Sequence, residues 1–171
     1  MSEPRMTADP IRTERLDLLP LRVEHAEEMA VVLSDPALHR FIGGSPYSPD
    51  DLRARYERLV AGAPEPGVSW CNWVLWLRAE ACLVGTVQAT VTEGAVAEIA
   101  WVVGTPWQGQ GLASEAARAL VARLGQRSVR TVVAHIHPDH RASAAVATAA
   151  GMSATEEEQE GETRWRVVLS P

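Results

Sequence analysis

Ile99-Ala100-Trp101-Val102-Val103-Gly104-Thr105-Pro106-Trp107-Gln108-Gly109-Gln110-Gly111-Leu112-Ala113-Ser114-Glu115-Ala116 falls into three parts. Ile99 to Val103 is a short, bulky apolar run of the kind a buried strand needs. Gly104, Thr105 and Pro106 break it, because glycine and X-Pro interrupt regular structure. Beyond the glycines, Ala113, Ala116, Ala117, Leu120, Val121 and Leu124 recur at helical spacing. The spacing predicts a strand that runs through a Gly-rich turn into the start of an amphipathic helix.

Such a turn can hold an anion. The first N–H groups of a helix lack intrahelical partners, and the helix dipole adds partial positive charge there. Gly109 and Gly111 carry no Cβ, so an anion can approach their backbone closely. An ordinary strand-to-helix turn would carry the same glycines, so the pattern alone leaves both readings standing. Two phosphate motifs are excluded. A dinucleotide fingerprint starting at Gly109 needs a third glycine where Ser114 stands, and a P-loop needs a lysine, of which the chain has none.

Gln108-Gly109-Gln110-Gly111-Leu112-Ala113 instead follows Gln/Arg-x-x-Gly-x-Gly/Ala. On that motif the chain resembles the GCN5-related N-acetyltransferases (GNAT), where it holds the acetyl-CoA pyrophosphate. The flanks Ala97-Glu98-Ile99-Ala100-Trp101 and Gly111 to Ala116 are similar to the branch of ribosomal-protein alanine acetyltransferases. The likeness runs from about Thr13 to Leu169. It implies a single α/β (α+β) domain over residues 13–171, with a mixed central sheet of about six to seven strands flanked by helices. Residues 1–12 are expected as a flexible lead-in. The implied reaction moves an acetyl group from acetyl-CoA, as co-substrate, to a primary amine by direct attack in a ternary complex. The amine would belong to a protein N-terminus or a small molecule.

Length and composition agree with one domain. No apolar run approaches the roughly 18 residues of a membrane span. Met1 to Pro10 lacks the apolar centre of a secretory signal, so a cytoplasmic protein is expected. A formal net charge of −6 argues against non-specific nucleic-acid binding and leans towards a cationic acceptor. Cys71 and Cys82 lie in strand-like runs and, without an export signal, are expected as free thiols rather than a disulfide. Cysteines and histidines do not occur at ligand spacing, so no metal is expected.

Upstream, Arg15 to Leu21 alternates as a first strand ended near Pro20, and Thr13-Glu14-Arg15-Leu16 is similar to the family's N-terminal strand. Helices are predicted over Glu24–Ser34, with Ala26, Met29, Ala30 and Leu33 as one stripe, and over Ala37–Phe41. The Gly43-Gly44-Ser45-Pro46 break follows. A third helix starts at a Ser48 cap with Pro49 in its first turn and ends near Val60. Trp70–Arg78 and Leu83–Val91 read as strands. In the first, Trp70, Asn72, Val74 and Trp76 alternate with Cys71, Trp73, Leu75 and Leu77, so both faces are buried and one tryptophan ring can line the acceptor cleft. Glu93-Gly94 turns the chain into Ala95–Val103. Thr131–Ile136 is a strand, Pro138-Asp139-His140-Arg141 opens a helix closed by Gly151, and Met152–Glu158 and Glu162–Leu169 are the last strands.

N-acetyl transfer needs a held thioester, a neutral amine, an oxyanion donor and a proton source for the leaving thiolate. The resemblance implies that Trp101, Val102 and Val103 pair with the pantetheine arm like an added strand, which requires the two central strands to splay. An N–H near Val102 would serve the oxyanion. Gln108, Gly109, Gln110, Gly111, Leu112, Ala113 and Ser114 would hold the pyrophosphate. The family's second motif, Asn-x-x-Ser and then Gly-Phe, stands here as His140-Arg141-Ala142-Ser143 and Gly151-Met152. Ser143 would protonate the thiolate as general acid, and His140, replacing asparagine, can still donate to pantetheine. A helix-start serine that bonds its own backbone would look the same. The tyrosine that many members place just beyond is absent, since Ala149 and Ala150 lie there.

Glu98 matches an acidic position on the family's central strand and is the expected base, on a face with Ala100 and Val102 where burial would raise its pKa; an edge carboxylate in water is the other reading of the same residue. His135 and His137 are its alternates. The early helical region covers the acceptor in the family, so His39, Arg40, Phe41 and Tyr47, with His135, are acceptor-pocket candidates; simple packing of Phe41 and solvation of His39 remain open. Dimers are common in the family, so a homodimer is an expectation. The competing reading is a non-catalytic acyl-CoA-binding module, and a third is a structural domain that binds no CoA.

Overall fold

The computed structural model describes residues 6–41, 44–93 and 95–169. Gly43 and Gly94, two expected turn residues, and residues 1–5 of the lead-in lie outside them. The elements follow as β1 (Ile11–Arg12), β2 (Leu16–Pro20), α1 (Ala26–Val32), α2 (Pro49–Ala61), β3 (Ser69–Leu77), β4 (Cys82–Thr92), β5 (Val96–Val103), α3 (Leu112–Gln126), β6 (Thr131–Ile136), α4 (Arg141–Ala149), β7 (Ser153–Gln159) and β8 (Glu162–Val168). The expected Ala37–Phe41 helix is a 3-10 turn over Pro36–His39, capped by the Asp35 carboxylate.

The strands form one open sheet in the order β1-β2-β3-β4-β5-β6-β8-β7. Every pairing is antiparallel except β5 with β6. The sheet has 8 strands rather than six to seven. The addition is β1, too short for its alternation to register in the sequence. It belongs to a segment that does not stand free as a lead-in. The Met6 N–H donates to Ser69 Oγ, Trp73 Nε1 donates to the Asp9 carbonyl, Asp9 pairs with Arg127, and Ile11 enters the core.

Two apolar layers follow from strand alternation. Residues such as Trp73, Leu75, Val87, Ile99 and Val132 meet the α3 stripe of Leu112, Ala116, Leu120 and Leu124 on one face. On the other, Val74 and Leu83 meet Met29 of α1 and Leu52 and Tyr56 of α2. This second layer covers β2 to β4 and leaves much of β5 to β8 open. Trp73 is core, and neither Trp70 nor Trp76 reaches the main cavity, whose indole rings are Trp101 and Trp107. Cys71 and Cys82 are free thiols; burial pushes Cys71 up to about 11. No helix among the described residues is long and apolar enough to cross a membrane.

Candidate active site

Strands β5 and β6 pair only at Val96, Ala97 and Glu98. Beyond Glu98, β6 stays on β8 while β5 stays on β4, so the two diverge and a fork opens between them. Gly104 N–H bonds the Val84 carbonyl, and the Val102 carbonyl turns towards β4 so closely that a Cβ at Gly85 would stand 2.2 Å from it. Alternation therefore points the N–H groups of Trp101 and Val103 the other way, into the fork. Gln108 caps the strand, its Nε2 donating to the Val103 carbonyl at 2.9 Å.

At the fork's open end, past Val103, the chain passes into α3 through Gly109 and Gly111, both at φ +78. A left-handed backbone is cheap only for glycine, and nothing stands within 4 Å of where a Gly109 Cβ would be. The loop is held from behind. Glu115 accepts from Thr13 Oγ1 at 2.6 Å, the Arg15 N–H at 2.9 Å and Arg15 Nε at 2.8 Å, while Arg15 Nη1 donates to the Gln110 carbonyl at 2.8 Å. Burial pushes the Glu115 carboxyl up, but the bonds from Thr13 and Arg15 and the Arg15 charge outweigh it and hold it below the usual glutamate value.

Across the fork, His140 caps α4. Its Nδ1 accepts the Ser143 N–H at 3.2 Å, and its Nε2 lies 3.1 Å from Ser143 Oγ. A neutral ring whose Nδ1 accepts must carry its proton on Nε2, so Nε2–H donates to Ser143 Oγ and leaves the serine O–H free to donate elsewhere. Burial, with the neighbouring His137, holds the His140 pKa below the ordinary histidine value, which favours that neutral ring. Phe41 stacks on His140 at 4.3 Å between centroids and tilts against His137 at 5.1 Å.

These parts surround one cavity of about 850 Å³. Trp101, Val102, Val103, Gln108, Gly109, Gly111, Leu112, Ala113, Ser114, His140 and Ser143 line it, as do His39, Phe41, Tyr47 and His135. Gln110 does not, because its carbonyl faces Arg15. Glu98 does not either. Its side chain is 51% exposed rather than buried, since the helix layer on that face stops short of β5, and it lines a smaller hollow of about 150 Å³. Glu98 Oε1 lies 2.6 Å from Nδ1 of His135, whose side chain is 9% exposed and whose Nε2 is buried without a hydrogen-bond partner among the described residues. His135 lines both hollows and so joins them.

Arg55, Tyr56, Asn72, Thr86, Gln88 and Arg141 also line the main cavity and were missed by the sequence reading. Asn72 had a signal, as the one polar residue among the Trp70, Val74 and Trp76 alternates; it pairs in register with Gln88. Among the described residues, no group of three or more His, Cys, Asp or Glu is placed to hold a metal ion.

Residues 15–153 match the acetyltransferase (GNAT) domain family. No curated protein matches the sequence. Among solved structures, a GNAT-family acetyltransferase from Bacillus anthracis superposes with a TM-score of 0.75 at 21% identity, over 94% of this chain and 98% of that one. RimL, a ribosomal L7/L12 α-N-protein acetyltransferase solved with coenzyme A, gives 0.79 at 17% identity, over 94% and 98%. The acetyltransferase AAC(6')-Ib, solved with paromomycin and acetyl-CoA, gives 0.74 at 16% identity, over 91% and 94%.

Proposed function

The chain belongs to the GNAT acetyltransferase family, and from that premise we propose that it acetylates a primary amine, with acetyl-CoA as donor and both substrates held in one cavity. The observation that carries this is the β5–β6 fork, which runs open main-chain groups directly into a glycine loop at a helix start. An extended, amide-bearing arm ending in phosphates fits those two features in that order. A primary amine on a small molecule or a protein N-terminus would enter from the end formed by Phe41, Tyr47 and α2.

When bound, acetyl-CoA supplies the thioester carbonyl and a thiol leaving group. The Trp101 and Val103 N–H groups face the fork and are the donors for a developing oxyanion. Ser143, held by His140 through Nε2–H, has its own O–H free to protonate the departing sulfur. On the acceptor side, Glu98 orients His135 through Nδ1–H, which leaves the Nε2 lone pair to take the ammonium proton. This gives Glu98 the part of a positioning residue, with the proton carried by the histidine it holds.

Calorimetric titration with acetyl-CoA tests the donor site, with Gly111→Trp as the comparison. Saturable binding by wild type that is lost in the variant is the expected result, and no binding by wild type overturns the reading. Free-thiol release with an amine panel then separates an enzyme from a binding module: acetyl-CoA binding without turnover on any amine supports the module.

A further inference from the structure

We infer that the amine taken by this cavity is a small molecule that also carries an anionic group, a carboxylate or a phosphate, held by Arg55 with Arg40. This deepens the acetyltransferase reading and rests on it. Arg55 lies on α2 beside Tyr56, one turn from Leu52 and Leu59, on the stripe that faces the cavity. A half-buried guanidinium among apolar side chains is costly without a counter-charge.

No carboxylate among the described residues pairs with it. Asp51 stands one turn earlier on the same helix, at a spacing suited to an ion pair, yet no ion pair in the structure includes Arg55 or Arg40. Each guanidinium lies over a ring instead, Arg55 at 5.7 Å from the Tyr47 centroid and Arg40 at 5.1 Å from that of Phe41. A contact with a ring face uses none of the guanidinium's N–H donors, which remain for a planar or tetrahedral anion. Burial pushes the neighbouring Tyr56 phenol up to about 12, so it stays a hydroxyl donor.

The cavity wall reverses the sign of the whole molecule. Its described charged residues are Arg40, Arg55 and Arg141 against the single carboxylate of Glu162, in a chain of net charge −6. The local field decides which ligand is drawn in, so the cationic acceptor suggested by net charge gives way to an anionic one.

The test measures free-thiol release from acetyl-CoA with matched acceptors: L-amino acids against their α-amides, and phosphoethanolamine against ethanolamine. The expected result is a kcat/KM about tenfold or more higher for the anionic member of at least one pair; which pair responds tells carboxylate from phosphate. Arg55→Met brings that ratio close to one through KM, Arg55→Lys keeps part of it, and both variants titrate with acetyl-CoA as the wild type does. Equal or better turnover of the uncharged partners, an unchanged ratio in Arg55→Met, or no turnover of any anionic amine by protein that binds acetyl-CoA overturns the inference. Failure of the wild type to bind acetyl-CoA removes the acetyltransferase reading itself.

Discussion

The two ends of the cavity are made of different material. At the loop end the wall is main chain: outward-facing N–H groups of β5, two glycines in left-handed conformation and the first turn of α3. At the α2 end it is side chain: Phe41, Tyr47, Arg55 and Tyr56, with Asn72 and Gln88 on the sheet between. A main-chain site tolerates almost any side chain but demands particular backbone conformations, so its signature is local and glycine-rich. A side-chain site demands particular residues brought together from distant elements, and it can change ligand by single substitutions while the other end stays as it is.

The sharpest way to break this contrast is Gly111→Val. A β-branched residue at φ +78 is strained, and the loop N–H groups lose their aim. Acetyl-CoA affinity by calorimetry is expected to fall roughly 100-fold, about 2.7 kcal/mol, while Gln110→Ala leaves it close to wild type. Equal losses in the two variants would mean that side chains hold the phosphates after all. Next in size is Ser143→Ala, for which kcat drops about 30-fold with little change in acetyl-CoA affinity; a loss confined to binding would make the serine a contact and no acid.

At the junction of the two ends, His135→Phe is expected to remove the rising limb of the kcat/KM–pH profile. Glu98→Gln should keep a rising limb and lower the rate about tenfold. Loss of the limb in Glu98→Gln, with the limb kept in His135→Phe, would put the proton on Glu98 directly. The smallest effect belongs to the clasp behind the loop. The folded Glu115 carboxyl titrates below its unfolded value, so its stabilisation is complete above the unfolded pKa and lost as pH falls through the folded one. Glu115→Gln should therefore cost about 1 kcal/mol at neutral pH by denaturant melts, and the two proteins should converge in acid. A gap that persists in acid would assign the cost to packing instead.

How much could be read from the sequence follows the same division. The β5–loop–α3 unit carries its information in one continuous run from Ile99 to Leu124, in glycine positions and helical spacing, and the fold has that unit where the spacing puts it. Ser143 and His140 were readable as a motif, but their mutual bond was not, because side-chain geometry at a helix start leaves no periodic trace. The burial expected for Glu98 failed because alternation tells which face a residue takes and not how far the helix layer on that face extends. Arg55 was invisible for a related reason. On α2 it reads as one of several solvent-facing arginines until the partner sheet shows which side of the helix is inside.

The contact of Thr13 and Arg15 with Glu115 has a consequence for how the protein comes into being. It joins positions 102 and 100 residues apart, so it can close only after the intervening hairpins and α3 have found their places. Secondary structure should accordingly return early during refolding, while the grip on the donor arrives later, when the N-terminal strand docks. On a ribosome the order is more lopsided. Thr13 and Arg15 emerge 102 and 100 residues before the carboxylate they answer to exists, and until it does the glycine loop has no brace.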